Sequence, residues 1–441
     1  LARRQDPPAD HSCRAEAQRG DVVALSPLSE VTQFPVSRSP LDVARRKPRV
    51  AIIHYWLIGM RGGEKVIEAL CEMFPDADIF THLYDPSRIS DTIKRHKITT
   101  TTFQKIPFAR KLYRKLVALM PSALEQLDLR EYDLVISSES GPAKGVIVRP
   151  GALHICYVHT PMRYIWDQYT DYYERSGSLT RFFMPPMTHA LRQWDVTSAA
   201  RVDHFVANSN AVKNRIERYW RRDAEVIPPP VSTQRFRPSS DRGDFYLFVS
   251  ELVSYKRADL AIRACALLDR KLVVIGDGPQ AAELRKMAGE HTEFLGRVPD
   301  KVLEDYVSKC RALLFPAEED FGIVPVEAMA AGAPVIAYNR GGARDYVLAD
   351  STGIFMNDQS VPGMIEAIIR FELQAHKFDA KTIAEHARRF DQTIFQERFR
   401  ETVLDQLDKR PNLAWLRTEL NRQWQEQSEP DGDDRRPGKT G

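Results

Sequence analysis

Glu319 and Glu327 are spaced for chemistry on a polyhydroxyl ligand, because an ionised carboxylate can accept hydrogen bonds from two neighbouring hydroxyls of a sugar or ribose. They lie in RALLFPAEEDFGIVPVEAMAAGAPVIAYNRGGARDYV, residues 311–347. ALLFPA is a short apolar run that predicts a buried strand, and EEDFG is a tight acidic turn. Pro325 sits where a helix tolerates proline, in its first turn, and Gly332 ends that helix. PVIAY predicts a second buried strand, so the unit is a strand, a crossover helix and a parallel strand. Ligands of such sheets sit at the carboxyl ends of the strands. That places Glu319 on the loop leaving the first strand and Glu327 in the first helical turn, both facing the crevice and held ionised by the helix dipole. The plainer alternative is that the two acids cap and solubilise a helix start.

The elements that must position this unit come from a chain of 441 residues, 43% hydrophobic and 28% charged, which fits two globular domains. No apolar run reaches the eighteen or so residues that cross a bilayer, and LARRQDPPAD has no signal-peptide core. Five scattered cysteines, Cys13, Cys71, Cys156, Cys265 and Cys310, never form CxxC, which favours reduced thiols in a cytosol over structural zinc. A net charge of +3 does not imply nucleic acid.

Residues 1–47 have no sustained periodicity and are expected to be a disordered arm. RVAIIHYW predicts the first buried strand of a domain spanning 48–230. LIGMRGGEK follows as a glycine turn before an amphipathic helix. Gly62 and Gly63 there allow backbone amides to approach an anionic or sugar group, although a simple strand-to-helix turn also wants glycine. ADIFTHLYD and YDLVISSES continue the strands. HICYVHTPMRYIWD places His159 at the carboxyl end of a strand ending at Val158; such a histidine is either structural or ligand-facing. DHFVANSNAVKNRIERYW predicts a strand, a Ser/Asn cap and a helix. Pro228, Pro229 and Pro230 cannot continue a helix or a central strand and mark the domain boundary. DFYLFVSELVSYKRADLAIRA, KLVVIGDGP and EFLGRV start a second doubly wound domain over 231–385. Helices are expected over 386–426 and a disordered tail over 427–441.

EEDFGIVPVEAMAAGAPVIA closely resembles the E-x7-E signature of retaining glycosyltransferases of family 4, and HTPMRYIWD resembles a segment of bacterial mannosyltransferases of that family. The resemblance covers roughly residues 49–407. It implies an α/β GT-B fold, two Rossmann-like doubly wound domains facing a central cleft. It further implies transfer of a hexose, with mannose from GDP-mannose as the leading donor, to a lipid-linked or polysaccharide acceptor. Under it, Glu327 would hold the ribose hydroxyls, Glu319 the transferred hexose, and the backbone at Phe321 and Gly322 would help seat the sugar. Lys256 would neutralise the diphosphate, Arg297 would meet the base, and His159 would contact the sugar. The loops at Gly62, Gly63 and Gly276 would face the donor. No metal ion or cofactor is implied, and no metal-ligand cluster stands in the sequence.

One position departs from the family pattern. The residue five before the lysine, usually an arginine on the diphosphate, is Glu251. A carboxylate near a phosphate costs on the order of 1 to 4 kcal/mol at surface-like dielectric. Arg257 either compensates or pairs with Glu251. A degenerate GT-B protein acting as a nucleotide-sugar-binding or scaffold subunit is therefore the alternative function. Nucleotide-sugar 2-epimerases share the architecture, but their motif pattern is missing.

The stretch 92–124 holds eight Lys or Arg and no Asp or Glu. Within it, FARKLYRKLVALM on a helical wheel puts Phe108, Leu112, Leu116, Leu119 and Met120 opposite Arg110, Lys111, Arg114 and Lys115. This is either a core-facing helix with a solvated basic face or a surface for anionic lipid, which would make the protein cytoplasmic and peripheral on the inner membrane face.

Overall fold

The computed structural model describes residues 47–112 and 116–428; the calls on the arm before residue 47 and on the tail after 428 lie outside these. Two parallel sheets carry the fold. The first comprises β1 (Val50–His54), β2 (Asp78–Thr81), β3 (Ile98–Thr100), β4 (Leu134–Glu139), β5 (Leu153–Val158), β6 (His204–Ala207) and β7 (Glu225–Val226), in the order β3-β2-β1-β4-β5-β6-β7. The second comprises β8 (Tyr246–Val249), β9 (Leu272–Ile275), β10 (Thr292–Gly296), β11 (Ala312–Phe315), β12 (Val335–Tyr338) and β13 (Gly353–Met356), in the order β10-β9-β8-β11-β12-β13. In both sheets the order reverses beside the first strand, at β1/β4 and at β8/β11. Such switch points open a crevice at the carboxyl ends of the strands.

The strands are continuous apolar runs because helices cover both faces of each sheet. β1, β4 and β5 are buried throughout. The crossover unit read around Glu319 is present: β11 pairs in parallel with β12 across the helix Ile323–Ala330. Ser209 caps the helix Asn210–Trp220 by accepting from the Val212 amide at 3.2 Å.

The chain enters the second sheet's domain beyond Val231, whose amide donates to the Phe390 carbonyl at 3.0 Å. It leaves beside the same point, since the Gln392 amide returns to the Val231 carbonyl at 3.2 Å. The helices Gln392–Asp408 and Ala414–Ser428 then bury Phe395, Phe399, Leu416, Leu420 and Trp424 in the core of the first sheet. Trp424 Nε1 donates to the Met73 carbonyl at 2.9 Å. Residues 427 and 428, expected to open a disordered tail, close that last helix.

The single amphipathic helix expected over 108–120 is corrected. Its described parts are a helical turn at Ala109–Leu112, a 3-10 turn at Val117–Leu119 and a helix at Met120–Glu125; residues 113–115 lie outside the described residues. Phe108 takes φ 57°, which a continuing right-handed helix cannot contain, and Pro121 restarts a helix in its first turn. The apolar side splits accordingly: Met120 is buried while Phe108 and Leu119 are exposed. The four described cysteines are buried free thiols.

Candidate active site

The carboxyl edges of the two sheets face each other across a cleft, and the acidic turn after β11 occupies its centre. Gly322, at φ 91°, is the N-cap of the helix Ile323–Ala330. The acids of the turn divide between two sides: Glu318 lies 3.9 Å from Arg215 of the first domain, which Asp320 shares, while Glu319 faces the second domain. Glu319 pairs with Lys256, which stands at the end of a 3-10 turn, Ser254–Lys256. Asp320 pairs with Arg215 of the first domain, lies 3.6 Å from Arg163, and offers its carbonyl to Ser209 Oγ at 2.5 Å. Asn210 completes this interdomain seam through its amide to Asp345 Oδ2 at 2.7 Å. The seam holds the first domain's cap of Asn210–Trp220 against the acidic turn, so Glu319 is presented to the space beside it.

That space has two connected parts. A cavity of about 520 Å³ is lined by Gly62, Gly63, His159, Lys256, Glu319, Phe321 and Gly322, with Arg163, Gln168 and Tyr172 on its outer side. A larger one of about 1040 Å³ shares Gly62, Lys256, Glu319 and Gly322 and adds Arg61, Glu251, Gly276 and Arg297. Together these volumes suit a ligand of several rings with a charged middle.

Nine of the eleven residues singled out from the sequence thus line the cleft. Gly63 is required by the close approach of its loop: a Cβ there would meet Tyr55 Oη at 2.8 Å. Gly276, at φ 130°, lies against Ser250, whose carbonyl oxygen would be 1.9 Å from a Cβ. Phe321 packs its ring on Tyr346 and Phe390, leaving its backbone toward the cavity.

Two residues are placed elsewhere. Arg257, at φ 55°, holds Asp259 through Nε and Nη2 at 3.0 and 3.1 Å and lines neither cavity. It therefore does not pair with Glu251, which faces Arg61 across the cleft at 3.9 Å. Glu327 is the fifth residue of its helix, in the second turn rather than the first, because the Phe321-Gly322 turn delays the helix to Ile323. It also lines neither cavity. Burial pushes its carboxyl above the usual carboxylate range, against the nearby charges of Arg235 and Lys65.

Several cleft residues were not singled out from the sequence. Arg61 was hidden in the glycine turn. Asp320 could have been found from the crowding of three carboxylates at 318–320, which requires cations nearby. Behind His159 stands a buried row on three adjacent strands: Ser138 Oγ lies 2.8 Å from His159 Nε2 and 3.0 Å from His54 Nδ1, and His54 Nε2 lies 3.9 Å from Glu64 Oε1. Burial, with His54 adding to it, pushes the His159 imidazole down to about 3, so the ring is neutral.

Deeper in the same domain Lys144 is enclosed between Asp195 and Glu139, with Trp166 and Trp220 both donating to Asp195 Oδ2 at 2.8 and 2.7 Å. Burial pushes Glu139 up to about 7 against the opposing charge of Lys144. Glu139's carbonyl accepts the His159 amide at 2.7 Å, so this closed network supports the strand end that carries His159.

Comparison with known proteins places this geometry. Residues 232–390 match the family model of glycosyl transferases group 1, and residues 60–235 that of glycosyltransferase family 4. The chain is 32% identical over 174 residues to a GDP-mannose-dependent α-(1-6)-phosphatidylinositol monomannoside mannosyltransferase of Mycobacterium tuberculosis, covering 33% of this chain and 45% of that one. The chain thus spans about half the length of such curated relatives. It is 26% identical over 401 residues to the α-1,3/1,6-mannosyltransferase ALG2 of Saccharomyces cerevisiae, covering 74% and 76% of the two chains. In fold it resembles Anabaena HepE, solved in complex with UDP, with a TM-score of 0.59 at 18% identity over 80% of this chain and 99% of that one. The two family models abut at the turn between the sheets and jointly contain the glycine loop, His159, Lys256 and the acidic turn, and the chain accordingly belongs to the family-4 type of glycosyltransferases with the GT-B fold.

Proposed function

We propose that the protein is a retaining hexosyltransferase that moves mannose from GDP-mannose onto a lipid-linked or saccharide acceptor. The observation that carries the reading is the convergence of Lys256, Glu319 and His159 on one cleft between the carboxyl edges of two parallel sheets. A departing nucleoside diphosphate needs positive charge, which Lys256 supplies as a charge-assisted donor. Binding of the diphosphate to Lys256 would release Glu319 to accept hydrogen bonds from the transferred hexose. Phe321 and Gly322 would seat the sugar, Gly62, Gly63 and Gly276 the phosphates, and Arg297 the base. Glu327, on the same domain as Arg297 and Gly276, would reach the ribose hydroxyls by a turn of its side chain toward the cleft. The donor is supported by the mannosyltransferase relatives, one of them GDP-mannose-dependent, and Lys256 would take the place of a metal ion at the diphosphate.

The acceptor side is the outer part of the smaller cavity, at Gln168 and Tyr172. A lipid-linked acceptor would bring the protein to a membrane surface from the cytosol. No helix among the described residues is long and apolar enough to cross a membrane. Ile106, Phe108 and Leu119 are exposed and belong to the stretch 92–124, whose sequence is basic, and that combination supports peripheral contact with anionic lipid.

The test is incubation of the purified chain with a panel of nucleotide sugars, with and without EDTA, measuring released nucleotide. Release from GDP-mannose, unchanged by EDTA, is expected; release from another donor replaces the sugar, and binding without release from any donor favours the second reading. That reading is a degenerate binding or scaffold subunit, and Glu251 in the phosphate-facing part of the cleft is the observation that favours it.

A further inference from the structure

We propose that Glu64, His54 and Ser138 are positioning residues that set the tautomer of His159, leaving its Nδ1 as a hydrogen-bond acceptor for a hydroxyl of the transferred sugar. The proposal rests on the hexosyltransferase reading for its substrate, and on the sheet for its geometry. In the parallel register of β1 and β4, His54 stands opposite Ser138, and in that of β4 and β5 Ser138 stands opposite Tyr157, two residues before His159. Cross-strand partners project to the same face of a sheet, so the three side chains form a row along the carboxyl edge.

The row has a direction. Glu64 is buried at 2% exposure, and its Oε2 accepts the Arg61 amide at 3.0 Å. Glu64 Oε1 stands 3.9 Å from His54 Nε2, beyond hydrogen-bond reach, and that nitrogen makes no hydrogen bond among the described residues; a carboxylate oxygen facing it favours a proton there. With its proton on Nε2, the His54 ring accepts the Ser138 hydroxyl hydrogen bond at Nδ1, 3.0 Å away. The Ser138 oxygen in turn accepts from His159 Nε2 at 2.8 Å. His159 is left with a bare Nδ1. That nitrogen makes no hydrogen bond among the described residues, and the ring lines the cleft beside Glu319. A second nitrogen held as acceptor by the bond the first one makes is the usual way a neutral imidazole is oriented.

The glycine loop completes the device. Glu64 is the third residue of the helix Gly62–Met73, so the loop that faces the donor also carries the carboxylate at the head of the row. A Cβ on Gly63 would stand 3.4 Å from His54 Cε1 and 3.6 Å from His159 Nε2, so the loop lies directly on it. A sugar hydroxyl would then meet two acceptors, Glu319 and His159 Nδ1, on opposite sides of the cleft. A His54 carrying both protons would reverse every bond in the row and present an N–H instead.

Nitrogen-15 NMR of the histidine-labelled full chain reads the tautomers directly, with His159 assigned by its loss in His159→Gln. The expected spectrum shows His159 protonated at Nε2 and bare at Nδ1, and His54 likewise. Ser138→Ala should mix the His159 tautomers and lower kcat about tenfold with donor KM within about twofold, the size expected for one hydrogen bond. Ser138→Thr, which keeps the hydroxyl, should restore both. A proton on His159 Nδ1 in the parent protein, or an unchanged tautomer in Ser138→Ala, overturns the proposal. The expected tautomers in a protein that turns over no nucleotide sugar would support the row and reject the transferase reading.

Discussion

Arg61 Nη2 lies 3.9 Å from Glu251 Oε2, and the pair joins the glycine loop of one domain to the end of β8 in the other. Both side chains remain open to the cleft, 63% and 42% exposed, so the pair itself stabilises little. Its meaning is in the ligand: any phosphate entering here meets a cation supplied from across the cleft and a carboxylate on the near side.

The first prediction follows from that arrangement. Arg61→Ala should weaken nucleoside diphosphate binding by roughly fivefold to tenfold, and Glu251→Gln should strengthen it by a similar factor, as expected for one charge near a phosphate at surface dielectric. Calorimetry with GDP on both variants and on the double variant checks it. Equal affinities in parent and Arg61→Ala would remove Arg61 from the phosphate site.

Lys256 and Glu319 form the second test. Lys256→Ala should reduce turnover at least about a hundredfold, as for loss of one preorganised charge. Glu319→Ala should lower kcat while leaving GDP affinity nearly unchanged, since its proposed ligand is the hexose. Loss of GDP affinity in Glu319→Ala would reassign that acid to the nucleotide.

Glu327 tests a rearrangement within the second domain. As the side chain lines neither cavity here, Glu327→Ala can weaken donor binding only if the side chain turns toward the cleft when the donor is bound. About tenfold weaker donor binding, as for one charge-assisted hydrogen bond, is expected. Unchanged donor affinity would end the ribose assignment.

Stability should depend on acid in a set direction. Burial lowers His82 and His154 to about 4 and His159 to about 3. A histidine depressed in the folded state contributes stability above its unfolded value near 6.5, and that stability is lost as pH falls toward the folded value. Glu139, raised to about 7, acts oppositely, its contribution being lost as pH rises from the unfolded range through 7. Glu327, also raised by burial, acts as Glu139 does, and His386, also lowered by burial, acts as the other histidines do, so four imidazoles oppose two carboxyls and the urea midpoint should fall between pH 6.5 and 4. A midpoint that rises over that interval would show the histidines to be charged in the native state.

Lipid contact is tested by flotation. Vesicles containing anionic lipid should carry the protein, and high salt should release it because the attraction is screened. Ser at Arg110, Lys111, Arg114 and Lys115 should have the effect of salt. Equal recovery on neutral vesicles would leave those residues as solvated charge.

What the sequence by itself determined is local. The crossover unit around Glu319, the glycine loop before the helix Gly62–Met73, and His159 just past β5 were legible because period, apolar runs and turn residues act over a few neighbours. The amphipathic helix over 108–120 failed by the same logic: periodicity counts apolar spacing and is blind to the left-handed backbone at Phe108. Only the tertiary structure decided which charges meet. Arg215 and Asp320 are 105 residues apart, and His54 and Ser138 are 84 apart, brought together by a sheet order that places β1 beside β4. Strand order is set by burial of whole faces against helices, a sum over the entire domain, so no short stretch of sequence records that Glu251 faces Arg61 rather than Arg257.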